Sequence, residues 1–186
     1  MLTIGLAMLQ GARHEHMHAL FQAAKSLDLE IEVRQLRKSS DVEGINALVL
    51  PGGESTAMKI ASRSEDLYTS IWNTVKETGI PVLGTCAGAI LLSQEGLIET
   101  GIQRNAFGRQ RESFQSEIEI DLDGKSKFPG VFIRAPRFKG GSTSPVAWLE
   151  DEVVGVLEKN IMALTFHPEL TDDTRFHSWL LNEAKA

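Results

Sequence analysis

The fold is decided by the stretch Pro81-Val82-Leu83-Gly84-Thr85-Cys86-Ala87-Gly88-Ala89-Ile90-Leu91-Leu92. A buried strand that turns sharply at a cysteine into an apolar helix has the layout of a nucleophile elbow. The two flanking glycines relieve the crowding of such a turn. The sulfur would stand at the helix N-terminus, where partial positive charge favours a thiolate, and the N–H group of Ala87 could receive an oxyanion. Cys86 is therefore a candidate nucleophile, although most free cysteines are small buried hydrophobes.

Strand and helix patterns alternate on both sides of this stretch. Short apolar runs predict strands at Leu2–Met8, Ile31–Leu36 and Ile45–Leu50. Helices are predicted at Ser64–Thr78 and Asp173–Ala184, and another after the first strand, with Met17, Leu20, Phe21, Ala24 and Leu27 on its inner face. Further strands are predicted around Ile118 and Ile120 and at Val131–Ile133, Val153–Leu157 and Ile161–Phe166. This alternation favours an α/β fold with a mostly parallel, helix-covered sheet, extended by the later strands or joined by a small antiparallel piece.

Composition limits the classes of function that remain. The chain has 186 residues, 42% of them hydrophobic and 24% charged, which suits one ordinary domain over residues 1–186. Its net charge of −6 disfavours a nucleic-acid partner, and no apolar run is long enough to cross a membrane. The single cysteine rules out an intrachain disulfide, so we expect a cytoplasmic protein.

A candidate base follows the apolar run Ile161–Phe166, in the motif Phe166-His167-Pro168-Glu169. The His167 imidazole could take the proton of Cys86 and return it to a leaving group, while Glu169 orients the ring. A histidine in a surface turn is the alternative interpretation.

A glycine loop, Leu50-Pro51-Gly52-Gly53-Glu54-Ser55, follows another predicted strand. Its N–H groups could complete an oxyanion hole. A phosphate-binding role is disfavoured because the Gly-Lys-Ser/Thr ending of a P-loop is missing, and an ordinary tight turn is the structural alternative.

Together, a glycine loop, a cysteine elbow and His-x-Glu, in that order, resemble the class I (triad) glutamine amidotransferases. Within that class, the chain resembles the glutaminase subunits of pyridoxal 5'-phosphate synthase over about residues 1–180. The stretches that carry this resemblance are Leu9-Gln10-Gly11, Glu15-His16, Pro51–Thr56, Gly84–Gly88, Arg104–Gln110, Val131–Pro136 and Phe166–Thr171.

The resemblance implies a three-layer, flavodoxin-like α/β fold and hydrolysis of L-glutamine to L-glutamate and ammonia, without a cofactor or metal. It also implies that the ammonia passes to a synthase partner for vitamin B6 biosynthesis. The implied triad is Cys86, His167 and Glu169, with Gly53 and Ala87 at the oxyanion hole. The implied glutamine-binding residues are Gly53, Glu54, Ser55, Arg104, Ile133 and Arg134, and the implied partner-contact residues are Gln10, Glu15 and His16.

Several rival interpretations stay open at this point. The same fold could serve another acceptor pathway, act as a catalytically silent adaptor or work as a cysteine peptidase. The segment His14–His18 also contains the H-E-x-x-H pattern of zinc peptidases, but no obvious third ligand follows it.

Overall fold

The computed structural model describes residues 1–7, 12–53, 66–104, 113–140 and 144–186. Its helices and strands follow in chain order: β1 (Leu2–Ala7), α1 (Arg13–Ser26), β2 (Ile31–Leu36), β3 (Ala47–Leu50), α2 (Leu67–Thr78), β4 (Val82–Thr85), α3 (Ala87–Gln94), β5 (Gly101–Gln103), β6 (Ser113–Asp121), β7 (Lys125–Ile133), β8 (Arg137–Lys139), β9 (Pro145–Leu149), β10 (Glu152–Glu158), β11 (Ile161–Leu164) and α4 (Arg175–Lys185). Short 3₁₀ turns lie at Ser39–Val42 and Pro168–Leu170.

Most of the strands in the described ranges join one sheet in the order β2-β1-β3-β4-β11-β10-β9-β6-β7. The strands from β2 to β11 in this order are parallel, as expected for strands connected by helices. The strands from β10 to β7 extend the sheet in antiparallel fashion. A separate antiparallel pair joins β5 to β8, so both alternatives expected for the later strands occur. The predicted α/β fold is confirmed.

Helices cover both faces of the sheet and make three layers. Alternate side chains along each strand point to opposite faces, as in β3, where Val49 packs with the core beneath α1 and α4 and Leu50 packs with the core beneath α2 and α3. Aromatic residues dominate the first core, where Phe128, Phe166 and Phe176 lie in mutual contact. None of the helices in the described ranges is long and apolar enough to span a bilayer.

The buried face of α1 differs from the predicted one. Phe21 is 49% exposed, while His16 and Ala23 are fully buried. The buried stripe consists of His16, Ala19, Leu20, Ala23 and Ala24, so Leu20 and Ala24 lie inward as predicted and Phe21 falls outside the stripe. The prediction of Phe21 as an inner residue was therefore wrong.

Three neighbouring parallel strands position the candidate chemistry. Gly52 follows β3, Cys86 follows β4, and His167 lies three residues beyond β11. Because β3, β4 and β11 are adjacent and parallel, their carboxyl ends meet at one edge of the sheet. Ligands bind at this edge in sheets of this kind.

Candidate active site

Cys86 occupies a strained turn between β4 and α3. Its φ angle is +48°, a region that non-glycine residues rarely adopt, and its N–H group donates to the carbonyl of Leu164 at 2.8 Å. Gly88, one turn further on, lies so close to the backbone of Leu50 that any side chain there would overlap it. The predicted elbow is therefore present, and it places the sulfur at the N-terminus of α3, where the helix dipole favours negative charge.

His167 and Glu169 form a buried pair in the turn after β11. The Nδ1 atom of His167 lies 2.7 Å from Oε1 of Glu169, and the two residues are 7% and 5% exposed. The backbone of His167 is held in turn by a hydrogen bond from its N–H group to the carbonyl of Val131. Pro168, at the start of the 3₁₀ turn, restricts the backbone between the two side chains.

The ring of His167 lies between two acidic groups. Burial alone would lower the pKa of His167, but hydrogen bonds with Cys86 and Glu169, and the negative charges of both, raise it to about 10. Burial would raise the pKa of Glu169, but the neighbouring His16 and the hydrogen bond with His167 hold it below its usual value. At neutral pH the arrangement therefore favours an imidazolium beside the sulfur, with an ionised carboxylate behind it.

A cavity of about 550 Å³ opens over the sulfur. Its described lining includes Gly53, Cys86, Ala87 and His167, so the candidate nucleophile, base and oxyanion-binding groups face one space. At Gly52, a Cβ atom would come within 2.5 Å of Cε1 of His167 and 3.3 Å of Cβ of Cys86. Gly52 therefore packs directly against His167 and Cys86, and a side chain at this position would displace the ring of His167.

The candidate glutamine-binding residues of the described ranges line the same cavity. Arg104 follows β5, and Ile133 and Arg134 lie at the end of β7. Arg134 has a φ angle of +42°, a second strained backbone position facing the cavity. The carbonyl oxygen of Ile133 lies 4.0 Å from the sulfur of Cys86. Two guanidinium groups at one cavity suit a ligand that carries a carboxylate.

The remaining predicted site residues have different outcomes. Gln10, Glu54 and Ser55 are outside the described residues. Glu15 is exposed and contributes to the cavity lining, so it stays a candidate for partner contact. His16 is 0% exposed and packs beneath the site, so its side chain does not reach the surface.

Two residues of the site were missed at the sequence level. The Oγ1 atom of Thr85 accepts the N–H group of Gly52 at 3.1 Å and lies 3.1 Å from Nε2 of His16. His177, in α4, lies 2.9 Å from His16. Thr85 could have been found from the sequence, because it is a polar residue in a buried strand and directly precedes Cys86. His177 gave no comparable signal, because α4 is separated from α1 by more than a hundred residues.

Fold and site together indicate a glutamine amidotransferase. The sequence profile of the SNO glutamine amidotransferase family matches residues 6–186, and the chain belongs to this family. It is 41% identical to the pyridoxal 5'-phosphate synthase subunit PdxT of Thermococcus kodakarensis, over 99% of this chain and 100% of the relative. It is also 39% identical to the PdxT subunit of Methanosarcina acetivorans, over 98% of each chain.

Solved structures agree with this assignment. A crystal structure described as a glutamine amidotransferase superposes with a TM-score of 0.84 at 37% identity, over 98% of this chain and 99% of that one. The structure of PurLQS from Thermotoga maritima gives a TM-score of 0.70 at 16% identity, over 99% and 97% of the two chains. At that identity the second likeness shows the fold alone.

Proposed function

We propose that this chain hydrolyses L-glutamine to L-glutamate and ammonia as the glutaminase subunit of a pyridoxal 5'-phosphate synthase. The observation that carries the chemistry is a cavity lined by Cys86, His167 and two arginines, with Glu169 buried behind the ring of His167. The full-length similarity to PdxT subunits supports the assignment to this synthase. The same similarity argues against a silent adaptor or a peptidase.

The reaction begins with the sulfur of Cys86 adding to the side-chain amide carbon of glutamine. The N–H groups of Ala87 and Gly53 receive the oxyanion that develops on the amide oxygen. His167 donates its proton to the departing nitrogen, the C–N bond breaks, and ammonia leaves behind a glutamyl thioester.

Hydrolysis of the thioester completes the cycle. Water adds to the thioester carbon while His167 accepts its proton. The C–S bond then breaks, and glutamate and the free sulfur are regenerated. Glu169 keeps the ring of His167 oriented and stabilises its charged form through both half-reactions.

Substrate recognition falls to groups around the cavity. Arg104 and Arg134 bind the α-carboxylate of glutamine, with the backbone of Ile133 beside the scissile amide. Glu54 and Ser55, which lie outside the described residues, complete the proposed set. Gln10 and Glu15 stay candidates for contact with the synthase, whereas the buried side chain of His16 does not.

The direct test is a glutamate-release assay with and without a synthase subunit from a PdxT-containing complex. We expect weak release by the chain alone, stimulation by the synthase, and none from Cys86→Ala at unchanged melting temperature. Substantial release by Cys86→Ala would remove this cysteine from the mechanism. Release that the synthase neither binds nor stimulates would instead favour a glutaminase for another acceptor.

A further inference from the structure

A second imidazole lies directly behind the catalytic pair. The Nε2 atom of His16 is 3.4 Å from Oε2 of Glu169, the carboxylate oxygen that His167 does not use. The same nitrogen lies 3.1 Å from Oγ1 of Thr85. Through the hydrogen bond from Gly52 to Thr85, His16 is thus connected to the carboxylate, to the residue before the nucleophile and to the glycine loop.

The positions of the protons follow from the neighbours of this ring. A carboxylate oxygen facing Nε2 favours a proton on that nitrogen, because a lone pair there would be repelled. The Nδ1 atom of His16 is then an acceptor, and it receives the Nε2–H group of His177 at 2.9 Å. His177 keeps a bare Nδ1, which has no hydrogen-bond partner in the part of the chain that the structure describes. The opposite set of tautomers would bury an unpaired N–H group at that position, which is the costlier arrangement.

Both rings are held in the neutral form. Burial lowers the pKa of His16, although Glu169 acts in the opposite direction. Burial lowers the pKa of His177 to about 3. A neutral N–H group can orient a carboxylate without cancelling its charge, so the charge of Glu169 remains available to His167.

We propose that His16 is a positioning residue for glutamine hydrolysis, which holds the second oxygen of Glu169 while His177 fixes its tautomer. This inference rests on the proposed function and extends it. It gives the buried His16–His177 pair a specific task, to hold the triad carboxylate in the orientation that His167 requires.

Two substitutions of similar polarity separate the contacts of His16. The amide of Gln in His16→Gln reaches the place of Nε2 and can still donate to Glu169. The amide of Asn in His16→Asn reaches only the place of Nδ1, beside His177. We expect His16→Asn to lower kcat about tenfold, which corresponds to about 1.4 kcal/mol, with KM little changed. The reason is that Oε2 of Glu169, which makes no hydrogen bond among the described residues, loses the polar group that faces it at 3.4 Å. His16→Gln should recover most of this loss. Equal losses in both variants, in parallel with their melting temperatures, would indicate a packing role and overturn the proposal.

A double-mutant cycle tests whether His16 acts through Glu169. In a Glu169→Gln background, His16→Asn should have almost no further effect on kcat, because the group it positions is already gone. Additive losses would contradict the proposal. Wild type and Cys86→Ala are assayed alongside, so that a protein without glutaminase activity is recognised as a failure of the proposed function.

A second readout does not depend on glutamine. Cys86 is the single cysteine of the chain, so iodoacetamide labelling followed by mass spectrometry reports on this sulfur. We expect labelling at neutral pH to be slower in His16→Asn than in His16→Gln, and the difference to vanish in the Glu169→Gln background. Identical labelling rates in the two variants of otherwise wild-type protein would overturn the inference even if glutamine hydrolysis is intact.

Discussion

Oε1 of Glu169 meets Nδ1 of His167 at 2.7 Å, although only one proline separates the two residues in sequence. So short a connection ties the orientation of the ring to the backbone of a single 3₁₀ turn. The other oxygen of the carboxylate faces His16, which comes from the opposite end of the chain. The contact of Oε1 therefore depends on local backbone geometry, whereas the contact of Oε2 depends on the tertiary fold.

Loss of the negative charge at Glu169 should impair the chemical step. We expect Glu169→Gln to lower kcat by about two to four orders of magnitude, since an uncharged amide no longer stabilises the imidazolium. The pKa of His167 should fall from about 10 towards its ordinary value, which NMR titration of the ring can follow. The exposed Glu77, changed to Gln, serves as the control. A kcat within threefold of wild type would exclude Glu169 from the triad.

A methyl group at Gly52 should disturb His167 without unfolding the protein. Gly52→Ala places a Cβ atom about where Cε1 of the ring now packs, so we expect a large loss of glutamate release. Gly101→Ala is the matched control, because its added Cβ would have only an ordinary contact, 3.6 Å from Cβ of Lys139. Steady-state kinetics of the two variants, with circular dichroism, provide the comparison. Equal activity in both variants would mean that the backbone at Gly52 shifts to accommodate the methyl group without disturbing His167.

The hydroxyl of Thr85 should matter more than its methyl group. Thr85→Val leaves the N–H group of Gly52 without its acceptor, which costs about 1–3 kcal/mol of unfolding free energy. Thr85→Ser keeps the hydroxyl and removes one methyl group, worth about 0.8 kcal/mol. Urea denaturation measures both, and activity should follow the hydroxyl. If Thr85→Val is as active as Thr85→Ser, the hydrogen bond between Thr85 and Gly52 is not needed for activity.

Acid should destabilise the protein through its buried neutral histidines. The pKa of His177 is about 3 in the folded chain and about 6.5 in the unfolded chain, so between these values only the unfolded state binds the proton. Stability therefore falls as the pH drops below about 6.5, by about 1.4 kcal/mol per pH unit for this group. In His177→Gln the slope of unfolding free energy between pH 6.5 and 5 should be shallower. An unchanged slope would assign the acid sensitivity to other groups.

The sequence allowed the parallel part of the fold and the closeness of Cys86, His167 and Glu169 to be predicted, because both depend on local signals. Strand ends, glycines and the Phe166–Glu169 motif all lie within a few residues of the feature they determine. The short strands β5 and β8 were missed, since each spans three residues and forms only by pairing with the other. The burial of His16 could not be predicted from the sequence either, because it depends on α4 packing against α1.

The adjacency of β3, β4 and β11 has a consequence for how the chain tolerates change. Backbone pairing sets the separation of neighbouring strands at about 4.8 Å. This fixed strand spacing sets the distances between Gly52, Cys86 and His167, which follow the three strands. Insertions among the outer antiparallel strands, from β10 to β7, leave the spacing of β3, β4 and β11 unchanged. The end of β7 is the exception, because Val131 accepts the N–H group of His167 and Ile133 and Arg134 line the cavity, so change is tolerated in the outer strands only where that end keeps its place.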